Sequence, residues 1–205
     1  MSKKIFGLFI LAGLLLPVAA KADSLSPAWE FTTVGSQANT NDWTIGIVFT
    51  ANANIEVGYL GYYDPTLGMN SSHLVGIFDA SGDLLASADV TSASPYSTAH
   101  FLYEAITPIE LLSGDTYVIE GVSNTDFYTY NDTGYAVNAP ITVAGYNNFA
   151  DGGALDFNGT TAKTNLSNGI FGPDFAPPVP EPSSFLLLGS GLAGLAGLIK
   201  RKLMA

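Results

Sequence analysis

The chain has 205 residues, of which 47% are hydrophobic and 12% are charged, and its formal net charge at pH 7 is -11. The apolar content is too high for a generally disordered chain, and the length is enough for one domain or two very small ones. Cysteine is absent, which excludes disulfides, thiolate zinc sites and a cysteine nucleophile.

The charge is distributed unevenly along the chain. Between Asp23 and Pro180 there are seventeen acidic residues and a single basic residue, Lys163. A surface this negative repels phosphate backbones, which argues against nucleic-acid binding. It could attract divalent cations or cationic partners, and it is equally typical of an exported protein kept soluble by its charge.

The N-terminal segment 1–22 is typical of a secretory signal peptide. Two lysines precede an apolar run over residues 5–18, and Ala20 and Ala22 then form an A-x-A cleavage site. We expect the secretion machinery to export the chain and signal peptidase to cut it, so that the mature form starts near Asp23. The alternative is a retained anchor, for which the run is short, because a span needs about 20 residues.

Residues 23–158 are predicted to form a domain of strands and turns. Two segments, Trp43–Phe49 and Ile55–Tyr63, alternate with a period of two. Further strands are predicted at His73–Phe78, Leu84–Val90, His100–Tyr103, Thr116–Val122 and Ile141–Tyr146. Short strands with turn signals about every 8–12 residues predict an all-β fold, an antiparallel β-sandwich of jelly-roll-like form.

Part of this domain resembles a bacterial surface module of unknown function. The matching segments are Gly46–Phe49, Val57–Tyr63, Val75–Asp79, Gly82–Ala86, Pro108–Leu111 and Gly114–Ile119. The resemblance covers Trp43–Asn124 and implies a secreted β-sandwich similar to carbohydrate-binding domains. It transfers no catalytic residue, because the family has none assigned.

The chain after residue 158 is predicted to be a linker followed by a membrane segment. Residues 159–179 are rich in Gly, Asn and Pro, and we expect them to present the C-terminal segment 180–202. That segment consists of Pro180, Glu181 and Pro182, a Gly-rich apolar stretch at 183–199, and the basic residues Lys200, Arg201 and Lys202. As a helix the stretch is about 26 Å long, the lower limit for a transmembrane span. The positive-inside rule keeps the basic residues in the cytoplasm as a stop-transfer signal.

This arrangement resembles the PEP-CTERM sorting signal of Gram-negative bacteria. The resemblance rests on the Pro-Glu-Pro tripeptide, the Gly-rich stretch and the basic cluster, and it covers about 25 residues. It implies that the membrane enzyme exosortase cuts near the tripeptide, which is then a processing site read by another protein. The precursor would be anchored transiently in the inner membrane, and the mature form would reach the cell surface or the extracellular matrix of an exopolysaccharide-producing species.

The sequence gives little support for catalysis. His73 and His100 are the two histidines, no G-x-S-x-G motif is present, and spacing singles out no pair among the many carboxylates. We therefore expect that the protein is not an enzyme and needs no cofactor.

Oxygen-rich turns are candidates for a structural calcium ion. Asp79 and Asp83 flank a Gly-containing turn, and Asp126 and Asp132 lie in a segment rich in Asn. Calcium prefers carboxylate and carbonyl oxygens. Turn chemistry explains the same composition equally well, and neither segment fits an EF-hand loop. Both interpretations stay open.

A cluster of aromatic residues suggests sugar binding. Tyr128, Tyr130, Tyr135 and Tyr146 lie within about twenty residues of one another, among Asn and Asp. Flat rings stack on the apolar faces of sugars and polar neighbours bind hydroxyl groups, although part of the set is expected in the core because strands favour Tyr. The predicted function is a structural or adhesive component of an exopolysaccharide matrix, and the alternative is a module that binds this polysaccharide.

Overall fold

Strands and turns make up the regular structure of the described residues. The computed structural model describes residues 25–39, 43–64, 68–98, 100–150, 153–162 and 170–179, which belong to one compact unit, Ser24–Val179. In chain order their strands are β1 (Trp29–Glu30), β2 (Ser36–Ala38), β3 (Trp43–Ala51), β4 (Ile55–Tyr63), β5 (His73–Asp79), β6 (Leu84–Val90), β7 (Tyr96–Ser97), β8 (Phe101–Leu111), β9 (Thr116–Val122), β10 (Tyr128–Tyr130), β11 (Ala136–Val137), β12 (Ile141–Ala150), β13 (Ile170–Phe171) and β14 (Pro173–Ala176). Their pairings are antiparallel and no helix occurs in these ranges, so the predicted all-β antiparallel class is confirmed.

Two larger sheets form the two layers of a sandwich. The five-stranded sheet has the order β12-β3-β9-β5-β6, and the four-stranded sheet has the order β14-β4-β8-β7. Two smaller sheets, β13-β10-β2 and β1-β11, accompany them. Because β3 and β4 are consecutive in the chain but belong to different layers, the short turn between them joins the two sheets.

The main core lies between the two layers. Alternate residues of β3 point to the same face, so one set of its apolar side chains faces this core. Ile45, Ile47 and Phe49 share one face of this strand and are completely buried or nearly so. The Phe49 ring stacks on Phe175 of β14, with ring centroids 5.2 Å apart, and Trp29 packs edge-on against both rings. Each large side chain buried in this way contributes roughly 1.5–3 kcal/mol to folding.

The outer faces of both sheets are also covered. Phe31 packs edge-on against Phe101 on the far face of the four-stranded sheet. Residues 153–162 cross the outer face of the five-stranded sheet, where the ring of Phe157 lies 5.8 Å from that of Phe78. Strands buried on both faces need apolar residues on both, which explains why β3 and β4 are almost continuously apolar in sequence.

Residues 170–176 correct the predicted linker. Both β13 and β14 fall within 159–179, and β14 pairs with β4 along its whole length. Phe175 is fully buried in the main core. The Gly- and Pro-rich composition hid this strand, yet Pro173 is tolerated because it is the first residue of a strand at the edge of its sheet. The sandwich therefore extends past the boundary predicted at residue 158.

In the part of the chain that the structure describes, no helix is long and apolar enough to cross a membrane. The predicted signal peptide 1–22, including Ala20 and Ala22, lies outside that part. The sorting segment 180–202, with its predicted helix at 183–199, lies outside it as well.

Candidate functional site

The C-terminal end of the sandwich lies against strand β4. A Cβ atom added at Gly58 would be 2.6 Å from the Cα of Pro178, so the chain crosses this glycine in direct backbone contact. Val179 lies beside the hydroxyl of Tyr59, whose ring meets that of Tyr96 edge to face with centroids 4.7 Å apart. Burial and the neighbouring Tyr96 raise the pKa of Tyr59. The structure thus fixes the chain up to the residue before Pro180.

Asp126 organises the most connected polar cluster among the described residues. Its Oδ2 accepts hydrogen bonds from the backbone N–H groups of Asn70 and Ser71, both at 2.7 Å, and from the Ser71 hydroxyl at 2.9 Å. Its Oδ1 accepts a bond from the Asn70 side chain at 3.1 Å. Burial raises the pKa of Asp126, but these hydrogen bonds outweigh it and leave the pKa below the usual value. The carboxylate therefore joins residues 70–71 to the segment after β9.

His73 continues this cluster into the core. Its Nδ1 lies 2.8 Å from the Val122 carbonyl oxygen and its Nε2 lies 3.2 Å from Asp126. The ring is completely buried and stacks on Tyr62, with centroids 3.9 Å apart and planes inclined by 1°. Because a carbonyl can only accept, Nδ1 carries a proton in this arrangement. Burial lowers the pKa of His73, against the opposing effects of Val122 and Asp126.

Asp132 and Asp79, two of the other candidate calcium ligands, also accept hydrogen bonds from nearby donors. Asp132 accepts bonds at Oδ1 from the N–H of Gly35 and the hydroxyl of Thr129, both at 2.7 Å. Asp79 accepts bonds at Oδ1 from the N–H groups of Ser81 and Asp83, which closes the hairpin turn between β5 and β6. In the described ranges no three His, Asp or Glu side chains are grouped as metal ligands. Calcium at Asp79, Asp83, Asp126 and Asp132 stays a prediction.

The four candidate sugar-stacking tyrosines lie in different places. Tyr128 and Tyr130 share a face of β10, with ring centroids 6.2 Å apart, but Tyr128 is only 7% exposed. Tyr135 is 37% exposed and packs on Phe171 at 5.2 Å. Tyr146 belongs to β12 in the five-stranded sheet. Sugar stacking by Tyr128, Tyr130, Tyr135 and Tyr146 stays a prediction.

Sequence reasoning missed two buried acids. Asp174 in β14 accepts bonds from the Tyr103 hydroxyl at 2.6 Å and the N–H of Phe175 at 2.7 Å, and burial raises its pKa well above the usual value. Glu120 in β9 is fully buried on the outer face of the five-stranded sheet and accepts bonds from the backbone and side chain of Asn158. The available signal was a single acid within an otherwise apolar strand, as in the β9 segment Thr116–Val122.

A shallow hollow lies at one end of the sandwich, beside the hairpin turn between β5 and β6. It has a volume of about 430 Å³. We call it the hairpin hollow, and its lining includes Asp79, Leu85, Glu110, Leu112 and Asp115. Carboxylates and partly exposed leucines therefore face the same space. The sequence analysis did not predict it, because its residues come from segments separated by about thirty residues.

The sandwich and its C-terminal end define an all-β domain joined directly to a sorting segment. A family model described as a domain of unknown function, DUF4082, matches residues 30–171, which is more than half of the chain, and the chain belongs to this family. A second model, the PEP-CTERM protein-sorting motif, matches residues 178–202 and confirms the predicted sorting signal. This motif implies exosortase processing and a membrane-anchored precursor that is exported.

A comparison with solved structures found a similar domain, and a comparison with curated proteins found none. A family 35 carbohydrate-binding module from an environmental isolate is 12% identical, with 58% of this chain and 93% of the module covered and a TM-score of 0.32. The residues that the sorting motif contributes, Pro180, Glu181, Pro182, Lys200, Arg201 and Lys202, lie outside the described residues.

Proposed function

We propose that this protein is a structural or adhesive component of an exopolysaccharide matrix, delivered to the cell surface or the matrix by exosortase. The observation that carries the proposal is the junction between the two matched regions. Strand β14 ends at Ala176, and the sorting motif begins at residue 178. The folded sandwich is therefore the cargo that the sorting motif delivers, with no room for a further domain between them.

The polar interior supports a structural role. Both histidines have partners, since His73 contacts Val122 and Asp126, and the Nδ1 of His100 lies 2.8 Å from Glu30. His73 is completely buried, and buried, hydrogen-bonded groups hold a fold together, whereas a catalytic group must be open to substrate. His100 is partly exposed, but it is hydrogen-bonded to Glu30. On this basis we propose that the domain is not an enzyme.

The test of this role compares matrix from wild-type cells with matrix from cells lacking the gene. We expect the mature protein in the matrix fraction and a weaker matrix without it. Recovery of the protein from the periplasm alone, or a matrix of unchanged cohesion in the deletion strain, would contradict the proposal.

Carbohydrate binding is the second candidate, and the hairpin hollow favours it. Its volume of about 430 Å³ falls in the range of small-ligand sites, and its carboxylates suit sugar hydroxyl groups. The purified mature domain is tested for retention on the host polysaccharide. Loss of retention in Asp115→Ala and Leu112→Ala would assign binding to the hollow, loss in Tyr130→Ala and Tyr135→Ala would assign it to the tyrosines, and no retention of wild type would remove this candidate.

A further inference from the structure

We propose that Tyr59 and Tyr96, beside the point where the chain crosses Gly58, form a contact surface for the membrane enzyme that cuts the sorting motif. We call this surface the exit shelf. The proposal goes beyond the matrix role, and it depends only on the processing step included in the proposed function. The shelf would help to bring the scissile segment to the enzyme, in addition to the motif itself.

The first step in the argument is that the shelf holds the end of the sandwich. The backbone of Pro178 crosses Gly58 so closely that a Cβ would lie 2.6 Å from its Cα and 2.8 Å from its nitrogen. Val179, the next residue, lies beside the Tyr59 hydroxyl. Just before these residues, β14 pairs with β4 up to Ala176. The chain therefore leaves the domain from a fixed position.

The second step is the short distance between this position and the motif. A fully extended chain spans at most about 3.6 Å per residue, so the three residues that follow Val179 can span at most about 11 Å. An ordinary protein interface buries about 800 Å² on each partner, which corresponds to a patch of about 16 Å radius. An enzyme centred on the motif therefore reaches the surface beside Val179, which is the exit shelf.

The third step is the chemistry of the shelf. The rings of Tyr59 and Tyr96 meet edge to face, with centroids 4.7 Å apart, and Tyr96 is 38% exposed. Tyrosine is enriched in protein interfaces, because it offers a large rigid contact area and a hydroxyl group. The domain carries seventeen acidic residues, whereas the side chains of Tyr59 and Tyr96 are uncharged. These properties fit a protein partner better than a substrate or an ion.

The experiment follows the conversion of full-length precursor to mature protein in the producing cell by pulse-chase labelling. Replacing Tyr96 by alanine should slow conversion about fivefold to tenfold, because a central interface tyrosine contributes that much to binding. The matched control is Tyr135→Ala, which removes a tyrosine of nearly equal exposure, 37% against 38%, that packs on Phe171 instead. The control should be processed at the wild-type rate.

A flexible insertion separates a contact effect from damage to the fold. Six Gly and Ser residues placed between Val179 and Pro180 remove the fixed spacing, so the insertion alone should slow cutting and Tyr96→Ala should then add nothing. Tyr96→Phe provides a milder change that keeps the ring packing, and its rate should lie between wild type and alanine. A Tyr96→Ala effect that persists unchanged after the insertion would overturn the proposal.

Further outcomes distinguish a failure of the exit-shelf proposal from a failure of the sorting step. If Tyr96→Ala is cut at the wild-type rate while alanines at Pro180, Glu181 and Pro182 prevent cutting, the exit shelf is wrong and processing stands. If the motif variant is still cut, the sorting step in the proposed function fails. Flotation of the mature protein with phospholipid vesicles, abolished by Tyr96→Ala, would assign the shelf to lipid and overturn the enzyme contact.

Discussion

Asp126 shows how a single carboxylate connects distant parts of this chain. It accepts hydrogen bonds from Asn70 and Ser71, which precede it by 56 and 55 residues, and it lies beside the buried ring of His73. Polar residues in a turn are visible in a sequence, but partners this far away along the chain are not. From the sequence alone, turn chemistry and calcium binding are therefore equally good explanations of Asp126.

Removing this carboxylate should destabilise the domain. We expect Asp126→Ala to lower the free energy of unfolding by about 3 kcal/mol, because two backbone N–H groups and a hydroxyl lose a charged acceptor. Urea unfolding of the purified domain provides the measurement. The matched control is Asp115→Ala, an exposed turn residue, which should change the free energy by less than about 0.5 kcal/mol. Equal effects of the two substitutions would contradict the role of Asp126.

His73 should make the domain sensitive to mild acid. Burial lowers its pKa from 6.5, so below pH 6.5 the unfolded chain takes up a proton that the folded chain resists. The stability present above pH 6.5 is therefore lost as the pH falls towards the folded-state pKa. We expect His73→Gln to be less stable than wild type at pH 7.5 but to lose less stability between pH 7.5 and 5.5, measured by thermal unfolding. Parallel curves for the two proteins would contradict this assignment.

At the scale of elements, short apolar segments bounded by turn residues predicted many strands of the sandwich. Three strands were predicted with the bounds that the structure gives: Ile55–Tyr63, Leu84–Val90 and Thr116–Val122. Strand β8 is longer than predicted, Phe101–Leu111 instead of His100–Tyr103, because a proline and an acid interrupt its apolar pattern. The pairing partners of each strand depend on long-range packing, which the local sequence pattern does not determine. The same is true of residues 153–162, which cross the outer face of the five-stranded sheet.

Strand β14 is the element that the sequence analysis misjudged most. Its four residues are buried and close one edge of the four-stranded sheet, where Phe175 meets Phe49 and Trp29. Four residues with a leading proline carry too little pattern to outweigh the Gly- and Pro-rich composition around them. Only their fit against β4 identifies them as a strand.

Truncating the Phe175 side chain tests whether β14 belongs to the core. We expect Phe175→Ala to lower the free energy of unfolding by about 3–5 kcal/mol, the usual cost of a large cavity at a buried aromatic position. A chain that ends at residue 158 should fail to give a cooperative unfolding transition. Leu112→Ala, at a leucine that is 49% exposed, is the control and should have little effect. A cooperative, stable domain ending at residue 158 would restore the predicted boundary.

At the scale of the whole molecule, both ends of the folded domain lie at one edge of the sandwich, next in the sequence to the segments that direct export. The N–H of Ala28, near the predicted start of the mature chain, donates to the carbonyl of Phe175 in β14 at 2.8 Å. The segment that follows the predicted signal peptide and the segment that precedes the sorting motif are therefore hydrogen-bonded to each other. Removal of both terminal segments would leave this hydrogen bond in place, which suits a protein that works after processing.

The central claim is that the sorting motif delivers this sandwich to the outside of the cell. Its most direct test is the intact mass and location of the protein when Pro180, Glu181 and Pro182 are replaced by alanine. The account predicts that wild type loses its C-terminal segment and reaches the surface or matrix, whereas the variant keeps that segment and stays with the membrane. A variant with the wild-type mature mass and location would contradict it.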